Sequence, residues 1–267
     1  MVKKVFISAD IEGIATTTCW AQCNRGEWGY EESRKQMSLE VAAACEGARA
    51  AGAEEIVVKD SHDFATNIIP DLLPEYAELI RCWSGDPMSM VTGIAPGFDA
   101  VLFVGYHSAA GRDGNPLSHT MDTEPVAVRI NGRKASEFMI YSWACALEGV
   151  PTAFVSGDRM LCEDYADLHP RCVRVPVKDG YGGLVRCIHP ALACRRIREG
   201  AERALRQDLS DALCTLPSSF KLEITYSHQT VATRKSFFPG CRKTDDNTVE
   251  LVTDSYRDVL TAISFLI

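Results

Sequence analysis

The chain has 267 residues, of which 46% are hydrophobic and 24% are charged, and this composition excludes a disordered, fibrous or low-complexity protein. Acidic residues outnumber basic ones by 36 to 28, and the formal net charge is −8. An acidic chain lacks the positive field that nucleic acids and anionic lipid surfaces select, so we expect neither partner. The length suits one large α/β domain, or a core with a smaller lobe.

The N-terminal segment and the cysteines bear on cellular location. The first apolar run covers only residues 5–9, which is too short for a signal peptide, and no later run reaches the roughly 18 apolar residues of a membrane span. Eleven cysteines without any C-x-x-C pair indicate reduced, mostly buried thiols rather than a disulfide framework. We therefore expect a cytoplasmic protein.

Strands and helices alternate along the first 155 residues. The pattern predicts strands over 5–10, 55–60, 77–81, 100–104 and 152–155, and helices over 30–51, 89–94 and 137–147. Continuous apolar strands that alternate with helices are typical of a parallel sheet covered on both faces. We predict an α/β fold with a doubly wound, mainly parallel sheet.

The remaining segments have a different pattern. Residues 125–133 alternate like a strand and end in Asn131-Gly132, which predicts a β-hairpin laid over the core. A helical pattern runs from Pro190 to about residue 209, and strand-like segments at 221–226 and 249–253 precede an apolar helix that begins at Ser255. We predict an α/β metal-binding catalytic core over 1–210, with the hairpin near 125–136, and a smaller α+β lobe over 211–267.

Metal-ligating side chains follow three of the predicted parallel strands. Asp10 and Glu12 stand at the end of the first strand, His62 follows the second, and His107 follows the strand that starts at residue 100. Residues two apart in an extended chain point to the same face, so one carboxylate can bridge two cations while the other binds one. Ligands bind beyond the carboxyl ends of such strands. His119 lies on the loop that follows His107.

Each of these residues also has an ordinary structural interpretation. A strand-terminal Asp commonly caps the next helix, and a lone His at a strand end is more often hydrogen-bonded than metal-bound. Their coincidence at one sheet edge favours a site, and a mixed set of histidines and carboxylates suits zinc. H-E-x-x-H, G-x-x-x-x-G-K-S/T and G-x-S-x-G are absent from the sequence, which disfavours a zincin helix, a P-loop and a serine hydrolase elbow.

An ordered set of motifs resembles the M55 family of metallopeptidases, the D-aminopeptidases. The motifs are Asp10-Ile11-Glu12-Gly13-Ile14, Lys59-Asp60-Ser61-His62, Gly105-Tyr106-His107, Leu117-Ser118-His119 and Val155-Ser156-Gly157-Asp158. The resemblance covers nearly the whole chain. It implies two zinc ions per subunit, His119 as the catalytic nucleophile or base, and a metal-ligand set of Asp10, Glu12, His62, His107 and Glu137. It also implies a homo-oligomeric ring, for which a decamer is the specific candidate.

The resulting hypothesis is a zinc-dependent aminopeptidase that hydrolyses short peptides, including those with an N-terminal D-residue, by a water that two metal ions activate. We assign His119 an acid/base role, because the metal-activated water already supplies a nucleophile. Asp60 or Asp158 are candidates to receive the α-amine. One alternative is a dimetal amidase or phosphoesterase, for which Lys59 and Arg112 are the candidate phosphate clamp. A second is a non-catalytic peptide-binding protein.

Overall fold

The computed structural model describes residues 2–267, which form two β-sheets with flanking helices. The strands are β1 (Lys4–Ala9), β2 (Glu55–Asp60), β3 (Ala77–Ile80), β4 (Ala100–Tyr106), β5 (Pro125–Ile130), β6 (Arg133–Lys134), β7 (Thr152–Asp158), β8 (Val173–Tyr181), β9 (Leu184–Cys187), β10 (Phe220–Tyr226), β11 (Cys241–Lys243) and β12 (Thr248–Thr253). The helices are α1 (Tyr30–Ala50), α2 (Glu137–Leu147), α3 (Arg159–Asp164), α4 (Pro190–Leu205), α5 (Gln229–Lys235) and α6 (Tyr256–Leu266).

The larger sheet has the strand order β3-β2-β1-β4-β7-β8-β9, and every neighbouring pair is parallel except β8 and β9. The central strands β4 and β7 are buried along their whole length because both faces of the sheet are covered. The prediction of an α/β fold with a doubly wound, mainly parallel sheet is confirmed.

Successive residues of each strand contribute to different cores. Val5, Ile7 and Ala9 of β1 pack on the side of α1 and α4, whereas Phe6 packs on the opposite side with α2, α6 and the second sheet. This alternation follows from the period of two in a β-strand. The sheet is thereby fixed between two apolar layers, and its carboxyl edge stays available for polar residues.

The smaller sheet is antiparallel, with the order β11-β12-β10-β5-β6. The predicted hairpin is confirmed, since β5 and β6 are joined at Asn131 and Gly132, both with positive φ. The hairpin pairs with β10 rather than lying alone on the core, so the smaller sheet combines residues from both sides of position 210. The division into two domains at that position stays a prediction.

Several elements differ in type or extent from the sequence prediction. The expected helix over 89–94 is a short 3₁₀ turn, Ser89–Val91, which gives way to Gly93 with a φ of 102°. The helix that begins at Pro190 ends at Leu205, and β1 ends at Ala9, one residue before Asp10. Among the described helices, none is both long enough and apolar enough to cross a membrane.

The order of the strands reverses between β1 and β4. The chain proceeds from β1 outward to β2 and β3, then returns to place β4 on the other side of β1. At such a reversal the connections leave the sheet in opposite directions and open a crevice beyond the carboxyl ends of the strands. The predicted site residues that follow β1, β2 and β4 border this crevice.

Candidate metal centre

Asp10 and Glu12 lie in a tight turn that follows β1 and crosses the end of β4. The Asp10 amide donates to the Val104 carbonyl at 2.9 Å, and the Gly13 amide donates to the Gly105 carbonyl at 2.8 Å. A Cβ on Gly13 would stand 1.8 Å from a backbone oxygen, so only glycine permits this close approach. This turn, rather than the strand alternation that we expected, directs both buried carboxylates to one centre.

His62 faces both carboxylates. It follows β2, and its Nε2 lies 3.1 Å from the Cys23 carbonyl oxygen. A carbonyl only accepts, so Nε2 carries the proton and Nδ1 presents its lone pair or a second proton to the site. Nδ1 is 3.1 Å from Glu12 Oε1 and 3.5 Å from Asp10 Oδ1. Asp10, Glu12 and His62 form the first half of the centre.

His107 faces the other oxygen of Asp10. Its Nδ1 lies 2.9 Å from the Ser108 carbonyl and therefore donates, while Nε2 is 3.5 Å from Asp10 Oδ2 and 3.4 Å from Glu137 Oε2. Asp10 thus directs one carboxylate oxygen to His62 and the other to His107. The two halves of the centre meet at this carboxylate.

Glu137 is the first residue of α2. The Ser136 side chain caps that helix by accepting from the Met139 amide, and Glu137 turns inward with only 3% of its surface exposed. Its Oε1 accepts a 2.7 Å hydrogen bond from the Met121 amide, which leaves Oε2 toward His107. A helix N-terminus favours a carboxylate, and here it also aims that carboxylate at the centre.

His119 lies beside the same half of the centre. Its ring stacks on His107, with centroids 4.3 Å apart and planes 9° from parallel, and its other neighbour is the edge of Trp20 at 5.1 Å. Nδ1 donates to the Leu117 carbonyl at 2.8 Å, and Nε2 is 3.5 Å from Glu137 Oε1. His107, His119 and Glu137 are close enough to share one ion.

The charges of the centre shift the pKa values of the ligand candidates. Burial disfavours a charged His62, but Glu12 and Asp10 outweigh it and raise the pKa of His62 well above its usual value. In the same way, Glu137 and Asp10 raise the pKa of His107 to about 10. Burial and the Glu12 charge raise the pKa of Asp10, whereas the positive charge of His62 overcomes burial and holds the pKa of Glu12 low. The centre therefore attracts positive charge.

Several buried polar atoms of the centre have no hydrogen-bond partner within the described chain. They are Asp10 Oδ2, Glu12 Oε2 and His107 Nε2. Buried polar atoms are normally paired, and unpaired carboxylate and imidazole atoms that converge are the usual ligands of zinc. Each of the three histidines also donates its other ring nitrogen to a backbone carbonyl, which fixes the orientation of the ring as metal-binding histidines require. The residues present fit a zinc centre.

A cavity of about 560 Å³ opens over these residues. Its apolar walls are Trp20, Trp83 and Met121, and two further carboxylates, Asp63 and Asp122, line it outside the two ligand groups. A cleft of this size accommodates a small peptide. The centre lies at its floor.

Comparison with known proteins agrees with this geometry. The family model of M55 peptidases, described as D-aminopeptidase, matches residues 3–265. The chain belongs to the M55 peptidase family. It is 30% identical over 251 residues to the D-aminopeptidase of Bacillus subtilis strain 168, covering 92% of this chain and 90% of that one. A solved structure described as "Zn-dependent D-aminopeptidase DppA from Bacillus subtilis, a self-compartmentalizing protease" matches with a TM-score of 0.91 and 27% identity, over 98% of this chain and 96% of that chain.

In this M55 peptidase all six predicted site residues converge on one centre: Asp10, Glu12, His62, His107, His119 and Glu137. Reasoning from the residues alone missed Glu137, because a Glu at a helix start is ordinarily explained by the helix dipole. It also missed Trp83 and Asp122, which lie in loops without a distinctive pattern. Asp60 and Asp158 do not line the cavity; their carboxylates accept hydrogen bonds from neighbouring backbone amides instead.

Proposed function

We propose that this chain is a zinc-dependent aminopeptidase that releases the N-terminal residue, including a D-residue, from short peptides at a dinuclear centre. The observation that supports this most strongly is the position of Asp10, whose two carboxylate oxygens each face a different histidine, 3.5 Å away. A carboxylate between two sets of ligands would allow two metal ions to be held side by side. Membership of the M55 family and the zinc dependence of the DppA relative support the metal and the reaction.

The proposed ligands divide into two sets. Asp10, Glu12 and His62 would hold one zinc ion, and His107, Glu137 and the second oxygen of Asp10 would hold the other. Zinc, when bound, polarises the scissile carbonyl and lowers the pKa of water to about 7. The backbone carbonyls behind His62 and His107 keep the free ring nitrogens aimed inward, so the ligand set is organised before the metal arrives.

His119 is proposed to move the proton between the attacking water and the leaving amine. Its Nδ1 is committed to the Leu117 carbonyl, so Nε2 is the atom that faces the centre and exchanges a proton. Burial and the positive charge of His107 lower the pKa of His119. A neutral imidazole with a free Nε2 is the form that a base needs at neutral pH.

The cavity walls are suited to an N-terminal residue. Asp63 and Asp122 are exposed on the lining and stand outside the ligand sets, which places them to receive a substrate α-ammonium. Trp20, Trp83 and Met121 offer apolar surface to the side chain of that residue. These features are consistent with an exopeptidase that requires a free amino terminus.

The phosphoesterase alternative is disfavoured because both of its candidate phosphate-binding cations already have other partners. Lys59 is buried, donates to the Asp60 carbonyl and lies 4.1 Å from the centroid of the Trp83 ring. Arg112 forms a bidentate pair with Asp164 at 2.6 and 2.7 Å. Neither is free to clamp a phosphate, and no Lys or Arg lines the cavity within residues 2–267.

Assembly and location complete the proposal. The DppA relative is described as self-compartmentalizing, and this chain exposes large apolar side chains that a partner would cover, including Trp28, Tyr181 and Phe237. We propose a homo-oligomeric ring, with a decamer of the 29.3 kDa chain, about 293 kDa, as the specific candidate. All eleven cysteines are free thiols, which supports a cytoplasmic, reducing location. Light scattering on the purified protein measures the assembly.

The function is tested with protein stripped of metal and reconstituted with zinc. Release of free amino acid is measured from D-Ala and L-Ala dipeptides, beside hydrolysis of an aryl phosphate. We expect zinc-dependent release of D-alanine, lost in Asp10→Asn and retained in Asp246→Asn, which changes an exposed carboxylate far from the centre in the sequence. Hydrolysis of the phosphate alone would favour the phosphoesterase, and tight peptide binding without turnover would favour the peptide-binding protein.

A further inference from the structure

Lys178 is a buried lysine on β8, which the strands β4 and β7 separate from β1 in the larger sheet. Only 3% of its surface is exposed. Its side chain reaches to the turn that carries Glu12, where Nζ donates to the backbone carbonyls of Glu12 and, at 2.7 Å, of Thr17. Both acceptors are neutral. Burying an ammonium whose hydrogen-bond acceptors are all neutral is costly, so the role of these two bonds calls for an explanation.

The Glu12 carbonyl receives a second donor. Asn115 Nδ2 lies 2.9 Å from the same oxygen, and Asn115 Oδ1 accepts from the Leu117 amide at 3.1 Å. Lys178 and Asn115 come from segments distant in sequence from Glu12 and from each other. Two donors that converge on one carbonyl fix the orientation of the Glu12–Gly13 peptide group more closely than either donor does alone.

The orientation of this peptide determines where the Glu12 carboxylate points. The next residue, Gly13, is packed against the end of β4, so the turn cannot move in that direction. The carbonyl of Glu12 is held by Lys178 and Asn115. With the carbonyl and the following glycine both held, the side chain leaves the turn toward His62, whose Nδ1 is 3.1 Å from Glu12 Oε1.

We propose that Lys178 is a positioning residue for the metal centre, which together with Asn115 fixes the Glu12 peptide so that the Glu12 carboxylate faces the ion held with His62. This inference rests on the proposed function, because it assumes that Glu12 is a zinc ligand. It predicts an effect confined to one half of the centre. His107 and Glu137 are oriented by the Ser108 carbonyl and the Met121 amide, and not by Lys178.

An electrostatic role and a positioning role of Lys178 predict opposite changes in zinc affinity when the ammonium is removed. If Lys178 acted only through its charge, its loss would remove a repulsion on a nearby cation, and zinc would bind more tightly. If it acts by holding Glu12, its loss weakens binding of that ion. Residues that orient metal ligands typically contribute about 10–100-fold to metal affinity. The sign of the change therefore decides between the two roles.

The experiment is a zinc titration with a competing chelator on the full-length protein, in wild type, Lys178→Met and Asn115→Ala. Met keeps most of the length of the side chain without the donors. The control is Lys235→Met, which removes a lysine that donates to the Phe265 carbonyl at 2.9 Å on the surface of α5. Circular dichroism and urea unfolding report whether each variant is folded.

We expect one of the two zinc ions to bind at least about tenfold more weakly in Lys178→Met, a loss of about 1.4 kcal/mol, while the other stays within about twofold. Asn115→Ala should weaken the same ion, and it decides the question if Lys178→Met does not fold. In a Glu12→Gln background, which lacks that ligand, adding Lys178→Met should leave the remaining ion unchanged.

Unchanged or tighter zinc binding in folded Lys178→Met would overturn the inference, as would an equal loss at both ions. The proposed function fails separately: a wild-type protein that binds no zinc contradicts the dinuclear centre whatever the variants do. If wild type binds a single ion, weaker binding of that ion in both Lys178→Met and Asn115→Ala supports the inference, and unchanged binding overturns it.

Discussion

His119 is the residue whose replacement separates chemistry from packing. Its ring is held between His107 and Trp20, and its Nδ1 is bound to the Leu117 carbonyl. His119→Phe keeps an aromatic ring in this stack but removes Nε2, the atom assigned to proton transfer. His119→Ala removes both the ring and the nitrogen. The two variants share the chemical loss and differ in the packing loss.

The size of the effect follows from the role. A positioned acid/base contributes about 10²–10⁴-fold to the rate, which corresponds to about 2.7–5.4 kcal/mol in the barrier. We expect kcat of His119→Phe to fall by at least about a hundredfold with little change in KM, because the phenyl ring preserves the contact with His107. His119→Ala should lose as much and bind zinc more weakly as well, since the His107 ring loses its stacked neighbour.

The assay is steady-state release of D-alanine from a dipeptide, with zinc content measured on the same samples. Retention of both zinc ions in His119→Phe together with a large fall in kcat agrees with proton transfer. Loss of an ion in that variant would make His119 a ligand, which its distance of 3.5 Å from Glu137 permits geometrically. Near wild-type activity in His119→Phe would refute the proton-transfer role and leave His119 only a packing role beside His107.

Three further predictions concern the centre, the substrate and the core. Asp10→Asn should lose both zinc ions and Glu12→Gln only one, because only Asp10 faces both His62 and His107. Elemental analysis after dialysis measures the zinc content, and equal losses in the two variants would contradict a shared role of Asp10. N-acetylated dipeptides should be at least about tenfold poorer substrates than free ones, about 1.4 kcal/mol, because acetylation removes the charge and the lone pair of the amine; equal rates in a paired assay would favour a general amidase. Burial lowers the pKa of His169 from 6.5 to about 4. As the pH falls, the unfolded chain is therefore protonated at this histidine before the folded chain is. The contribution of His169 to stability is complete above about pH 6.5 and is lost as the pH falls toward 4. At about 1.4 kcal/mol per pKa unit, the loss of unfolding free energy amounts to about 3 kcal/mol. Urea unfolding of zinc-free protein should show this loss in wild type and not in His169→Gln. An identical pH dependence of the two proteins would contradict the prediction.

The parallel sheet was predictable because its strands are continuous apolar runs. The antiparallel sheet was not, since β5 pairs with β10 about 90 residues later and no local pattern encodes that partner. The strand β8 escaped prediction because Pro176 and Gly180 interrupt its apolar pattern. Local signals therefore indicated elements and turns, while the pairing of distant strands required the folded chain.

The site shows the same division. Side chains that follow strand ends, such as His62 and His107, could be placed from the sheet topology alone. Glu137 could not, because its inward direction depends on the Met121 amide and on how α2 packs. Lys178 could not either, since its role depends on a side chain that crosses to a turn more than 160 residues away. Contacts made by a single long side chain leave no periodic trace in a sequence.

The separation of ligands from cavity walls has a consequence for how this enzyme can diversify. Every proposed ligand lies within three residues of a strand end or at the first residue of a helix, next to backbone that regular secondary structure holds in place. The walls, by contrast, are Trp20, Trp83 and Met121, all on connecting segments. Substitutions in those segments can alter which side chain is accepted while the reacting centre keeps its geometry. A library randomised at these three positions should therefore yield variants that retain zinc but differ in substrate, which makes the scaffold a suitable starting point for peptidases of new selectivity.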